Sequence, residues 1–286
     1  MFFHSRALRE ADRLFDAGHE AEAFRALRRL SLRQLGRLLL DVPGRFPALR
    51  EALPVMPSEQ VQRDWTGSSG RALLVQTRAF VASLEKGFRR LCGRPLEDAA
   101  ILDYGCGWGR ILRLMLHFSD PSRLYGLDPW PASLEASRAC RVRGHLASCD
   151  EVPRELPFPG VAFELVYAFS VFTHLSEKTA TAVLAALRPR LAPGGLLVVT
   201  VRPPEYWGAH AGFPEGTDAE AMIRRHHETG YAFIPHVRAP VDGDVTFGDT
   251  SMSLDYVRRN WTEWELAGTG TSRADPYQLL LFLKAA

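Results

Sequence analysis

The chain is poor in lysine. Of its 35 basic side chains, only Lys86, Lys178 and Lys284 are lysines; the rest are arginines. Net charge is only +2, so no excess of one sign calls for nucleic acid or an acidic lipid surface. No basic stripe with interleaved aromatics is present either, and no nucleic-acid partner is expected. Cysteine is scarce: Cys92, Cys106, Cys140 and Cys149 have neither disulfide-framework nor metal-ligand spacing. That usage suits a reducing compartment, and a cytoplasmic location is expected. The opening "MFFHSRALREADR" lacks an apolar stretch of signal-peptide length. Long hydrophobic runs are missing too. The longest, such as "LLLFL" at 279–283, have the length of a strand and fall well short of a membrane span.

What is present is an ordinary globular composition, 46% hydrophobic and 24% charged over 286 residues. That is enough to bury one large core with an accessory region. Residues 1–60 read as helical, with Leu14, Phe15, Ala23, Phe24 and Leu27 at helical spacing around a break at Gly18. The pair resembles one unit of a tetratricopeptide array, but a single unit cannot form such an array. A small helical bundle is expected. Pro43, Pro47, Pro54 and Pro57 then interrupt helix repeatedly. A longer helix is expected from about Ser69 to Leu91, burying Leu73, Leu74, Phe80, Val81, Leu84 and Phe88.

From Ala99 to Pro203 strand and helix patterns alternate: "AAILDYG", "RILRLMLHF", "SRLYGLD", "PASLEASRAC", "FELVYAFSVF", "EKTATAVLAALRPRL", "PGGLLVVTV". "HLASCD" is a less distinct strand candidate. Such alternation predicts a parallel sheet with helices on both faces. Residues 204–286 are less regular and rich in Gly, Pro, Asp and aromatics, with "WTEWELAG" and "PYQLLLFLKA" reading as strands. Their aromatic content argues for a functional segment rather than a disordered one.

The most informative stretch is "ILDYGCGWGR", Ile101–Arg110. An apolar run meets Asp103 and then places Gly105, Gly107 and Gly109 on alternate positions. Glycines after the first strand let a ligand approach the backbone, and the helix that follows offers unpaired N–H groups. A dinucleotide site favours G-x-G-x-x-G. Here Arg110 occupies the third glycine's place and Trp108 sits inside the turn, which disfavours a nicotinamide oxidoreductase.

Together with "LYGLD", "SVFTHL" and "LAPGG", this stretch resembles the motifs of class I S-adenosylmethionine-dependent methyltransferases, over about residues 97–203. The post-core strands "WELAG" and "YQLLLFLK" extend the likeness. The resemblance implies an α/β fold: a Rossmann-like, doubly wound, mostly parallel seven-stranded sheet with a C-terminal antiparallel hairpin. Residues 1–96 would be a helical N-terminal extension and lid. Residues 97–286 would be the methyltransferase domain, with an acceptor-side flap at about 204–260.

The same resemblance implies S-adenosylmethionine as cofactor, leaving S-adenosylhomocysteine as product. Asp103 would face the cofactor's ammonium, and Gly105, Gly107, Trp108 and Gly109 its backbone approach. Asp128 would take both ribose hydroxyls; the alternative is a helix cap before "PWPASLEAS". Asp150 would lie near the adenine amine, Phe169 and Ser170 along the methionine portion, and Trp65 and Gly67 in a closing segment. Each of these also has a plain structural reading as a loop, core or helix-start residue. On the acceptor side, His174 is the candidate general base and Tyr206 a catalytic or pocket residue, with Arg202, Glu205, Trp207 and His210 at the same end of the sheet. His226, His227 and His236 lack metal-ligand spacing, and no metal is expected. The expected activity is methyl transfer to a small-molecule or polar head-group acceptor. The alternative is a cofactor-binding scaffold of the same fold without transfer activity.

Overall fold

The computed structural model of the chain describes residues 2–209, 212–213, 216–272 and 275–286, with side chains from residue 6 onward. The chain divides into two compact units. The first comprises Met1–Arg89 and Arg94–Ser148, the second Arg90–Gly93 and Cys149–Ala286.

The first unit begins with helices α1 (Phe2–Asp16), α2 (Glu20–Leu27), α3 (Leu32–Leu40), α4 (Pro47–Ala52), α5 (Glu59–Thr66) and α6 (Gly70–Cys92), whose last three residues belong to the second unit. Gly18 separates α1 from α2 with a left-handed φ of 77°, and Phe15 meets Phe24 edge to face across that break at 5.1 Å. Ser31 and Gln34 form a reciprocal capping box that starts α3. Pro47 opens α4, where a missing N–H costs nothing. The long helix α6 lies within one residue of the span expected at each end and buries Leu73, Phe80, Val81, Leu84 and Phe88.

Strands β1 (Ile101–Tyr104), β2 (Leu124–Asp128) and β3 (His145–Ser148) follow, with β2 pairing in parallel with both neighbours. Helix α7 (Pro131–Ala139) links β2 to β3. Between β1 and β2 the periodic "RILRLMLHF" forms a six-residue 3-10 helix, Leu112–His117, in place of a longer α-helix. Leu112 to Leu116 are all buried. A segment covered on every side has no solvent-facing stripe to favour α-helical periodicity. Arg113 is among the buried residues. Its guanidinium donates to the Leu39 carbonyl and, at 3.3 Å, to the Val55 carbonyl. Burial lowers its pKa to about 10.

The second unit holds β4 (Phe163–Ala168), α8 (Glu177–Leu187), β5 (Leu191–Val201), α9 (Tyr206–Ala209), α10 (Ala219–Thr229), β6 (Tyr231–Pro235), β7 (Gly248–Met252), α11 (Leu254–Asn260), β8 (Trp264–Ser272) and β9 (Asp275–Ala285). Strands β4 and β5 are parallel; β9 runs antiparallel to β5, and β8 to β9. The seven-stranded sheet has the order β3-β2-β1-β4-β5-β9-β8. This is the expected doubly wound, mostly parallel sheet with its antiparallel C-terminal pair.

The irregular-looking stretch 204–260 contains α9, α10, α11 and the antiparallel β6–β7 pair. Tyr206, Trp207 and Ala232 form a small core there with Met222, Ile223 and Ile234. The main chain ties it down. Gly248 N donates to His174 O at 2.8 Å, Thr250 N to Thr173 O at 2.9 Å and Met252 N to Arg202 O at 3.1 Å. The described part of this stretch is thus a hydrogen-bonded layer with a packed interior. No helix among the described residues is long and apolar enough to cross a membrane.

Candidate functional site

The candidate residues fall into two groups, one in each unit. In the first unit, β1 delivers Asp103, which is 2% exposed. The chain then turns, and the N–H groups of Gly105 and Cys106 both donate to the Leu127 carbonyl, at 2.8 and 2.9 Å. Gly105, Gly107 and Gly109 have φ of 76°, 56° and 81°, a region that only glycine enters at no steric cost. Their surroundings differ. A Cβ on Gly109 would lie 2.4 Å from Val142 Cγ2, so this glycine is required by packing. A Cβ on Gly107 would meet only the Trp65 ring, at 3.6 Å.

Asp128 ends β2 and holds this loop. Its Oδ2 accepts from Gly107 N at 2.9 Å and its Oδ1 from Trp130 N at 3.0 Å. Ser137 Oγ donates to the Gly107 carbonyl at 2.8 Å. Burial raises the Asp128 pKa, against the hydrogen bonds from Trp130, Gly107 and Ser133. A carboxylate has about four lone-pair sites, so acceptor capacity remains beyond these bonds. Helix α7 takes Trp130 as its N-cap without a side-chain bond, so Asp128 is not its cap.

Trp65 lies at the end of α5 and is 42% exposed. Gly67 follows as that helix's left-handed C-cap, donating to Arg63 O. Trp108 is buried. Its indole is 2% exposed and its Nε1 has no hydrogen-bond partner among the described residues. The Trp108 indole is therefore closed to a ligand at the loop.

In the second unit, Phe169 and Ser170 follow β4. Ser170 has a left-handed φ of 59°, uncommon for a residue with a Cβ. Its N–H donates to Thr200 Oγ1 at 2.7 Å, and its Oγ accepts from Gln278 Nε2 at 3.2 Å. Asp150 is exposed, beyond the end of β3.

Four residues after Ser170 comes His174, and it enters a buried polar cluster. Asp249 on β7, 3% exposed, is the hub. Its Oδ1 accepts from Arg202 Nη1 at 2.5 Å and from the Tyr206 hydroxyl at 2.8 Å, and its Oδ2 lies 2.8 Å from His236 Nε2. Arg202 also donates to the Thr173 carbonyl and lies over the Tyr206 ring, 3.9 Å from its centroid.

Hydrogen bonding fixes the state of His174. Its Nδ1 is 2.7 Å from the Gly248 carbonyl, so Nδ1 carries the proton. Its Nε2 is 3.0 Å from Arg202 Nη2. Arginine only donates, so Nε2 accepts and the ring is neutral. Burial and the Arg202 charge lower the His174 pKa to about 4, although Asp249 opposes them. Burial alone would raise Asp249, but His236, Arg202, His174 and Tyr206 together hold it below the ordinary carboxylate range. The Tyr206 hydroxyl is pushed above its usual pKa by burial and by Asp249, against the Arg202 charge. Tyr206 and Trp207 are both buried, 6% and 1% exposed, so neither presents an open face. Trp207 Nε1 donates to Ser251 Oγ at 2.8 Å. His210 lies outside the described residues.

Residues 101–195 match a family described as "Methyltransferase domain". The segment that carries the glycine loop is thus similar to a methyltransferase domain.

The methyltransferase fold recurs in solved structures of low identity. The glycopeptide N-methyltransferase MtfA is 14% identical with a TM-score of 0.50, over 81% of this chain and 100% of that one. An S-adenosylmethionine-dependent methyltransferase from Clostridium acetobutylicum ATCC 824 is 9% identical with a TM-score of 0.51, over 79% and 96%. At these identities the likeness is one of fold. No curated protein matches the sequence. The family match includes the glycine loop, Asp128, Ser170 and His174, but ends before Arg202, Tyr206, His236 and Asp249. The hub residue Asp249 was not singled out from the sequence. It sits in "FGDTSMS", 47 positions from Arg202, and no local pattern joins them. Among the described residues, no group of three or more His, Cys, Asp or Glu is placed to hold a metal ion.

Proposed function

We propose that this methyltransferase binds S-adenosylmethionine on the glycine loop and transfers its methyl group to a small-molecule or polar head-group acceptor. The observation that carries the reading is the Asp128 carboxylate. It is anchored by the Gly107 and Trp130 amides with acceptor capacity left over, and it lies within the matched segment. The chemistry of this set fits the group. A carboxylate accepts two vicinal ribose hydroxyls and repels a phosphorylated ribose. Gly107 leaves room that a Cβ would fill, and the Trp65 ring borders that room. Asp103, Gly105 and Gly109 complete the loop in this reading.

When bound, the cofactor supplies a methyl group on a cationic sulfur, already activated for displacement. The protein's part is to align the acceptor and exclude water, and alignment alone can contribute roughly 7–11 kcal/mol. Asp128 and the loop amides are preorganised, since Gly107 is held at its N–H by Asp128 and at its carbonyl by Ser137. On the acceptor side, Arg202 and Asp249 hold His174 and Tyr206 in place. His174 can take a proton only after its Nε2 leaves Arg202.

Calorimetric titration with S-adenosylhomocysteine tests the reading. Wild type should bind, and Asp128→Ala should lose at least tenfold in affinity while remaining folded. Equal affinity in the two proteins refutes the assignment. Binding without transfer to any acceptor would favour a cofactor-binding scaffold.

A further inference from the structure

We propose that His236, oriented by Asp249, is the general base of the acceptor side, and that the acceptor is therefore an alcohol, a phenol or a protonated amine. The proposal rests on the methyl-transfer reading above. Two histidines contact the Asp249 hub, and hydrogen bonding gives them opposite states. His174 has its proton on Nδ1 and its only lone pair engaged by Arg202. His236 has Nε2 against the Asp249 carboxylate, so Nε2 carries the proton. The lone pair of His236 is then on Nδ1, which makes no hydrogen bond among the described residues. The His236 side chain is 35% exposed, whereas that of Asp249 is 4% exposed. A buried carboxylate that fixes the tautomer of a half-exposed imidazole is the arrangement that activates histidine as a proton acceptor.

The surroundings are consistent with that role. His236 follows β6 and its backbone N–H donates to Phe247 O at 3.1 Å, so the residue is anchored. Phe247 stacks on His174 at 4.9 Å and meets His236 edge-on at 5.4 Å. Arg238 covers the Phe247 ring at 4.4 Å. The charged and titratable groups around His236 are thus Asp249 from β7, His174 after β4, Arg202 after β5, and Arg238 on its own loop. Arg202 and Asp249 neutralise each other and His174 is neutral. Both His174 and Arg202 follow the carboxyl ends of parallel strands, the side from which ligands enter such sheets.

The step balances without a further reagent. The acceptor's O–H or N–H bond breaks and its proton bonds to His236 Nδ1. The pair left on the acceptor atom forms the new bond to the methyl carbon, as the carbon–sulfur bond opens and leaves its pair on sulfur. A thioether acceptor has no proton to give.

The test is nitrogen-15 NMR of the full-length, histidine-labelled protein with S-adenosylhomocysteine present. His236 should show a protonated Nε2 and a bare Nδ1, with His174 the reverse. Asp249→Asn should mix the His236 tautomers. A His236 proton found on Nδ1 overturns the proposal. Failure of S-adenosylhomocysteine to bind instead overturns the cofactor reading and leaves the tautomer result standing. Transfer is then compared on phenol, glucose and ethanolamine. For any probe methylated, His236→Ala should lose about 100-fold or more, with partial rescue by added imidazole and retained S-adenosylhomocysteine binding. Undiminished transfer by His236→Ala also overturns the proposal. The tautomer readout decides whether or not a probe is methylated.

Discussion

Asp249→Ala removes the acceptor on which Arg202, Tyr206 and His236 converge. Arg202 and Asp249 have side chains 8% and 4% exposed, so deletion leaves a guanidinium buried with no carboxylate. It also strands the Tyr206 hydroxyl, whose bond to Asp249 is 2.8 Å. Breaking a buried pair from one side costs about 3–5 kcal/mol. For a protein of this size that lowers Tm by roughly 6–20 °C, read by calorimetry at neutral pH. Removing both charges together, as Arg202→Met with Asp249→Leu, should recover most of the loss, because no lone buried charge remains. The cycle of single and double variants gives the coupling directly. A loss below about 1 kcal/mol for Asp249→Ala, or additive single effects, would refute the claim that the pair is a desolvated unit.

Other outcomes follow from named contacts. His174 is neutral in the folded protein with a pKa near 4, against 6.5 for an ordinary histidine. The unfolded chain therefore binds the extra proton first as pH falls. The contribution is fully present above about pH 6.5 and is lost as pH falls through about 4. It is worth on the order of 3 kcal/mol, and His174→Gln should flatten the stability–pH curve measured by urea unfolding in that window. Gly109→Ala would push a Cβ into Val142 at 2.4 Å with φ at 81°. It should cost more than about 2 kcal/mol, whereas Gly67→Ala, with nothing within 4 Å, should cost only about 1 kcal/mol for its left-handed backbone. Urea unfolding compares the two. Trp65→Ala should weaken S-adenosylhomocysteine by a few-fold, about 1 kcal/mol, without loss of Tm in the free protein; an unchanged Kd removes Trp65 from the site.

Much of the fold was legible because local signals agreed. The apolar spacing of 69–91 foretold α6, and the strand–helix alternation foretold the parallel sheet. The post-core strands were visible in their apolar runs. The segment after the glycine loop misled because its pattern was helical but its environment was not. With Leu112 to Leu116 all buried, tertiary packing set the geometry. The loop residues could be singled out because Asp103, the glycines and Asp128 lie in two short motifs. The buried cluster around Asp249 could not be. Its members come from positions 174, 202, 206, 236 and 249, brought together by main-chain bonds such as Gly248 N to His174 O. The histidines at 226, 227 and 236 drew notice as possible ligands. Yet what distinguishes His236 is a carboxylate 13 positions away on the paired strand, which no spacing rule reveals.

The most direct test of the account is thermal unfolding of the purified protein with S-adenosylmethionine, S-adenosylhomocysteine or NAD. A ligand at 100 times its Kd adds about 2.7 kcal/mol to the folded state, a rise of roughly 5–10 °C in Tm. The account predicts that rise with both sulfur compounds, none with NAD, and its loss in Asp128→Ala. No rise with either sulfur compound in folded protein, or a rise with NAD alone, would contradict it.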